Sequence, residues 1–247
     1  MNNINFSFVK SVMIPEGNAK KIEIDGVTVW EKSTSRLPNE YQEVEYIEST
    51  GTQYIDTGVV GKNGIRILTE MGWTTLSGSL FGSRKDSGAT RFFVTYYANR
   101  IDFGYGGDTV SDISPQVGQI YKIDFDVTGG TYNFGVDGTY KTGRATELDT
   151  ECNMFIFGAN RPYTTNQLSK SIFKSMIITN ANVETLRNFI PCYRKSDNEI
   201  GLYDTVSKSF FTNSGTGTFL KGNNINSLSW QNTIITGTIK IYDIKLT

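Results

Sequence analysis

The 247-residue chain contains no histidine, two cysteines and five prolines. Without imidazole there is no Ser-His-Asp or Cys-His nucleophile, and the commonest general base and the usual zinc and copper ligand are missing. Cys152 and Cys192 are the whole thiol inventory. Their spacing suggests no framework, and both are expected to be free and buried. Long apolar runs are missing as well. None approaches the ~20 residues that a membrane-spanning helix needs, so no membrane insertion is expected. The opening stretch, MNNINFSFVKSVMIPEGNAKK, lacks the apolar segment of a secretory signal, and classical secretion is not expected either. Lys and Arg number 24 against 25 Asp and Glu, a net charge of −1. That balance argues against a nucleic-acid binder working through bulk electrostatics.

Aromatic residues make up 13% of the chain and glycine contributes 25 residues, a composition that favours strands joined by tight turns. The period-2 signal is strong. In YKIDFDVTGG, Tyr121, Ile123, Phe125 and Val127 fall on one face, and Lys122, Asp124 and Asp126 fall on the other, read as the wet side of a sheet. Gly129 and Gly130 then turn the chain. TYNFGVDGTYKTG alternates Tyr132, Phe134 and Val136 before Asp137-Gly138, a pair suited to a type I′ turn because both central residues need positive φ. The stretch reads as a three-stranded meander. Further hairpins are KKIEIDGVTVWEK, turning at Asp25-Gly26, and RFFVTYYANRIDFGY, turning near Ala98-Asn99 with Phe92 and Phe93 on opposite faces. GLYDTVSKSFF adds two strands around a polar turn, and Gly215 and Gly217 beyond it permit close backbone approach or a bulge. Only NANVETLRNFI, residues 180–190, has room for a turn of helix. Many short strands at regular spacing predict an all-β sandwich or barrel.

Residues 1–34 lead into STSRLPNE, a polar linker, and are too few to bury a core of their own. They are read as an attachment module. The main domain is placed at 35–221, and 222–247 hold two further strands. The two ends are expected to pair into a small β appendage.

LPNEYQEVEYIESTGTQYIDTGV, residues 37–59, resembles the opening of laminin-G-like, concanavalin A-like lectin domains of phage and prophage structural proteins. FGVDGTYKTG resembles that family's central hairpin, NMFIFGANR its next core strand, and NFIPCYRKSDNEIGLYDTVSKSFFTNSGTGTF, residues 188–219, its closing segment. SVMIPEGNAKKIEIDGVTVWEK, residues 11–32, resembles a short N-terminal module of such proteins. The resemblance implies a jelly-roll (concanavalin A-like) sandwich of two antiparallel sheets. It also implies a place in the virion after synthesis in the bacterial cytoplasm, capsid or tail proteins and host-surface carbohydrate as partners, and a homo-oligomer.

Sugar binding needs flat aromatic faces and planar polar groups at a rim or loop. GANRPYTTNQ supplies Asn160, Arg161 and Tyr163, and FGYGGD supplies Tyr105 and Asp108. The loop GYGGDTVSD also offers Asp108 and Asp112 as oxygen ligands for calcium; no other cofactor is invited. EVEYIE places Glu43, Glu45 and Glu48 in a pattern similar to one that glucanases of the same fold family use with Asp in the middle. Glu43 and Glu45 are expected to share a strand face. The middle residue here is Glu and the motif sits at the domain's entry, so a solvated strand face is the preferred reading. The expectation is a non-enzymatic virion protein with a lectin-like domain. A decoration protein without glycan affinity is the first alternative, and a glycoside hydrolase using Glu43 and Glu48 is the second.

Overall fold

The computed structural model describes residues 2–5, 21–24, 27–31, 36–85, 90–144, 148–164, 166–225 and 238–242. The chain forms two compact units: Leu37–Ile225, and a smaller one drawn from both ends, Met1–Arg36 with Asn226–Thr247. In the smaller unit a four-stranded sheet runs Asn2–Asn5, Thr238–Tyr242, Lys21–Ile24, Val27–Glu31. The Asp25-Gly26 turn lies outside the described residues, as does most of the C-terminal segment read as two strands.

The larger unit is a sandwich of two antiparallel sheets. One has six strands, in the order Gly107–Val110, Arg100–Tyr105, Arg91–Tyr97, Ser79–Arg84, Asp149–Ile156, Ile55–Lys62. The other runs Thr139–Arg144, Thr131–Val136, Tyr121–Asp126, Ile65–Trp73, Lys170–Asn180, Thr185–Arg194, Ile200–Asp204, Ser209–Phe211. Tyr41–Glu43 pairs beside Thr185–Arg194, and Ile47–Thr50 links Lys170–Asn180 to Leu220–Lys221. Ile65–Trp73 lies between two strands that follow it much later in the chain, so the sheets are tied together by the crossovers of a jelly roll. Gly158–Ala159 and Gln167–Leu168 form a separate two-stranded piece.

The pleat explains the core. Successive side chains point to opposite faces, so Tyr121, Ile123 and Phe125 turn inward together and are buried. Phe125 meets Phe81, Phe92 and Phe103 of the opposite sheet, and Phe134 beside it stacks on Phe103 with ring centroids 4.9 Å apart. Such pairs contribute about 0.5–1.5 kcal/mol each beyond the area they bury. Turn chemistry agrees with the sequence. Asp137 and Gly138 have φ of 49° and 84°, and Ala98 and Asn99 have φ of 47° and 63°.

Two expectations are corrected. Residues 180–190 hold no helix. The Asn180 Oδ1 accepts the N–H groups of Asn182 and Glu184, each at 3.0 Å, which closes a tight turn into the Thr185–Arg194 strand. Asp124 faces outward as the alternation requires, but it is buried rather than wet. Arg66 donates to both its oxygens at 3.0 and 2.8 Å, and Tyr140, whose ring lies over Gly135, donates to Oδ2 at 3.2 Å. The thiols carry no disulfide; Cys192 is buried and Cys152 only in part.

The stretches at the two ends of the sandwich hold each other. Gln53 Oε1 accepts from the Thr50 N–H at 2.8 Å and from Ser49 Oγ, while its Nε2 donates to the Thr218 carbonyl at 3.2 Å. Gly215 sits where a Cβ would stand 2.1 Å from the Thr52 carbonyl oxygen, so TGTQ and SGTGTF meet backbone to backbone. Asp204 is fully buried. It accepts the N–H groups of Asn188 at 2.8 Å, Val206 at 3.1 Å and Ser207 at 3.1 Å, with Arg187 Nε 3.7 Å away. Burial alone would raise its pKa; the hydrogen bonds outweigh that and hold it below the usual carboxylate range. Its stabilisation is therefore present above the unfolded value of ~3.9 and is lost as pH falls through the folded one.

Asp204→Ala is expected to cost about 3–5 kcal/mol at pH 7, because three buried donors lose their acceptor. Denaturant titrations should show that difference shrinking steadily below pH 4. In the smaller unit, Thr238–Tyr242 is the only partner of Asn2–Asn5 among the described strands. Truncation after Ile225 should abolish amide exchange protection at residues 2–5, and retained protection would contradict the pairing.

Candidate functional site

Core packing decides what the outer face of the six-stranded sheet carries. Phe92, Val94, Ile101, Phe103 and Tyr105 turn inward, so the alternate residues of the same hairpin turn out: Arg91, Phe93, Thr95 and Tyr97 on one strand, Arg100, Asp102 and Gly104 on the other. Registration aligns them. Asp102 pairs with Thr95, Gly104 with Phe93 and Arg100 with Tyr97. On the next strand Ser79 pairs with Thr95, Gly82 with Phe93 and Arg84 with Arg91. Successive rows of side chains along a strand stand about 7 Å apart.

The Phe93 ring lies against Gly104, where a Cβ would come within 2.6 Å of it, and Gly82, with φ of 135°, passes close to the Phe93 backbone and Cβ from the neighbouring strand. The missing side chain at Gly104 gives this ring its seat. One row beyond lies a line of polar side chains, Asp102, Thr95 and Ser79, only 3%, 4% and 0% exposed. Thr95 is satisfied: its hydroxyl donates to the Gly78 carbonyl at 3.0 Å and accepts from Gln167 Nε2 at 3.2 Å. Asp102 Oδ1 and Ser79 Oγ have no hydrogen-bond partner, and the Nε–H groups of Arg84 and Arg100 are likewise buried without an acceptor. Buried polar atoms are nearly always paired in folded proteins, so four on one face mark it out. Burial pushes the Asp102 carboxyl above the usual range, against the pull of Arg100 and Arg91.

The loop picked out in the sequence reaches this sheet. After Ile156 the chain doubles back. The Phe157 N–H donates to Leu80 O and the Asn160 N–H to Gly82 O, and the Arg84 N–H donates to Asn160 O, so residues 157–160 run beside Ser79–Arg84. Asn160 is an anchor, its Nδ2 donating to Asn153 O at 2.8 Å. The Arg161 N–H donates to Asn166 Oδ1 at 2.9 Å and closes the loop, and Tyr163 near its tip is 69% exposed. Arg161 and Tyr163 thus sit on a loop held at the Arg84 end of the sheet.

The other selected residues fall elsewhere. Tyr105 is a core residue: its ring packs edge-on to Phe92, Phe125 and Phe134 and its hydroxyl donates to Asn63 Oδ1, which leaves no face for a sugar. Asp108 pairs with Gly104 through its backbone, and its side chain lies outside what is described. Asp112 is exposed and bound by Lys141 at 2.8 Å. Among the described residues no three acidic or thiol groups converge in a metal-holding cluster. Glu43 and Glu45 do not share a face. The strand Tyr41–Glu43 ends at Glu43, which is buried, while Glu45 is exposed and accepts from Asn223; Glu48 lies on Ile47–Thr50.

No family model and no curated protein matches the sequence. By fold the chain is similar to a solved protein of Bacteroides ovatus provisionally described as carbohydrate-binding, with a TM-score of 0.50 and 8% identity. The match covers 75% of this chain and 61% of that one, so this chain spans less than two thirds of its length. At this identity the likeness is one of fold.

Because folding raises the Asp102 pKa, stability from this group is greatest below ~3.9 and declines as pH rises towards the raised value. Asp102→Asn, which cannot ionise, is expected to raise the melting temperature at pH 7 by about 2–4 °C, the shift that ~1 kcal/mol gives in a protein of this size. The gain should be smaller at pH 4. A lower melting temperature at pH 7 would show that the carboxylate is there for the fold.

Proposed function

We propose that this chain is a non-enzymatic virion protein whose sandwich binds host-surface carbohydrate on the outer face of the six-stranded sheet. One observation carries the reading: the Asp102–Thr95–Ser79 row holds acceptors and donors with unmet hydrogen-bonding capacity, bordered by arginine Nε–H groups. A sugar presents vicinal hydroxyls, each both donor and acceptor. Such a pair donates a hydrogen bond to Asp102 and accepts one from Arg100 or Ser79, which meets both deficits once the side chains that bury these atoms give way. The exposed Tyr97 at one end of the strands and Tyr163 on the loop at the other supply aromatic surface for sugar rings. The fold likeness to a protein provisionally described as carbohydrate-binding supports the same reading, and the resemblance of residues 37–59 and 188–219 to phage lectin-like domains supports the virion setting.

In this reading the smaller unit attaches the protein to capsid or tail, and copies associate with one another. The scattering of Glu43, Glu45 and Glu48 over differently buried positions supports a role without hydrolysis.

The test is a glycan array probed with the full chain and with Asp102→Asn. Binding by the parent should fall about 10-fold or more in the variant, the loss of one charged hydrogen bond worth about 1.5–3 kcal/mol. A folded parent that binds no glycan would overturn the carbohydrate reading in favour of a purely structural decoration protein. Release of reducing ends from a bound glycan, abolished by Glu43→Gln, would overturn the non-enzymatic one.

A further inference from the structure

The Asp102–Thr95–Ser79 row is enclosed, so a sugar reaches it only when something over it moves. The loop that leaves the sheet at Phe157 returns along Gln167–Leu168 and meets this end of the sheet through backbone and through side chain. The backbone contact is at Gly78, next to Ser79, where φ is 72° and a Cβ would stand 2.0 Å from the Leu168 carbonyl oxygen. The side-chain contact is Gln167 Nε2, which donates to Thr95 Oγ1 at 3.2 Å. The Thr95 hydroxyl has a single proton, and the Gly78 carbonyl takes it at 3.0 Å. The group above Thr95 therefore has to be a donor, which turns the amide nitrogen of Gln167 towards it. The returning backbone is fixed. Gly158 pairs with Leu168 and Ala159 with Gln167, and the Ser169 N–H donates to Phe157 O at 2.9 Å. Phe157 is fully buried with φ of 71°, a conformation that a bulky residue keeps only where its surroundings hold it. The Gln167 side chain is different. It is half-buried, its amide rides on a flexible stem, and its bond to Thr95 is at the long end of the N–H···O range. Of the two contacts, the amide is the one that can leave.

We infer that Gln167 is a displaceable cover, whose amide holds the place of a ligand hydroxyl on Thr95 and swings away when the glycan binds. This deepens the carbohydrate reading and rests on it. The exchange leaves Thr95 satisfied: a sugar hydroxyl donates to its Oγ1 where the amide did, and its own proton stays on the Gly78 carbonyl. Asp102 and Ser79 are the register neighbours of Thr95 on either side. A second hydroxyl of the same sugar then falls over Asp102 Oδ1 or Ser79 Oγ, neither of which has a partner while the cover is closed. The released amide hydrogen-bonds to water. Until it is released the site is closed, so the apparent affinity is lowered by the fraction of molecules in which the amide is off the row.

The test compares the full chain with Gln167→Ala and with Gln167→Glu, which keeps the length of the side chain but, ionised, cannot donate to Thr95. On a glycan array both variants are expected to bind the glycans that the parent binds, half-saturating at about 3–10-fold lower protein concentration, the worth of one neutral hydrogen bond. Weaker binding by Gln167→Ala would make Gln167 a contact to the ligand and overturn the inference, and so would unchanged binding. A second readout needs no glycan. In carbon-13 NMR of the ligand-free protein, the Asp102 carboxyl should titrate closer to the ordinary carboxylate value in Gln167→Ala, because water reaches the uncovered row. Identical titration in parent and variant would overturn the cover. Melting temperatures matching the parent's show that the variants are folded. If neither parent nor variants bind any array glycan, the carbohydrate reading falls, and the Asp102 titration alone decides whether Gln167 shields the row.

Discussion

The sandwich depends on one interlock, the rings that Phe81, Phe92 and Phe103 push against Phe125 from the opposite sheet. A strand has two faces and no third. Once Phe92 and Phe103 are committed to the interior, Phe93, Asp102 and the arginines of the same hairpin have only the outside to occupy. The outer face is thus a by-product of core geometry in its placement, though not in its chemistry. A register slip of one residue would exchange the two sets and bury two cations, Arg91 and Arg100, between the sheets.

Three aspartates on outward or edge positions show how differently the same group can be treated. Asp124 is enclosed by Arg66 and Tyr140, and Asp204 by three backbone donors and Arg187. Both are buried charges with their requirements met, and both fasten strands. Asp102 is as deeply enclosed as Asp124, yet Oδ1 has no donor. A protein that satisfies two buried carboxylates so fully has the means to satisfy a third. It is left unmet, with Ser79 unmet in the same row, a feature for which the proposed carbohydrate reading accounts.

Much of the fold was legible because it rests on local rules. The alternation in YKIDFDV and the Asp137-Gly138 turn each specify their own structure within a few residues, and both appear as read. The short turn at Asn180–Glu184 was misread as helical because its polar residues precede an apolar run, and nothing local says that Leu186 and Ile190 belong to a strand already paired on both sides. The site was harder to find. Tyr105 looked like a rim aromatic beside three glycines, but alternation with Phe103 and Ile101 sends it to the core. Asp102 passed unnoticed because its importance lies in who its neighbours are across three strands, Thr95 and Ser79, and register between strands is not written in any one of them. The signal that was present, and could have been used, is the hairpin RFFVTYYANRIDFGY itself. Counting outward positions from its turn places Arg91, Phe93, Arg100 and Asp102 on one side.

In the smaller sheet, Ile4 pairs with Ile239 and Ile22 with Ile241, both across the strand Thr238–Tyr242. The strand that unites the sheet therefore follows the whole sandwich in the chain, while the strands it joins precede it. Segments emerge in order during synthesis, so the sandwich can complete itself while the amino-terminal strands still wait for their middle member. A chain that stops short of Thr238 therefore holds a complete sandwich but lacks the middle strand of the smaller sheet.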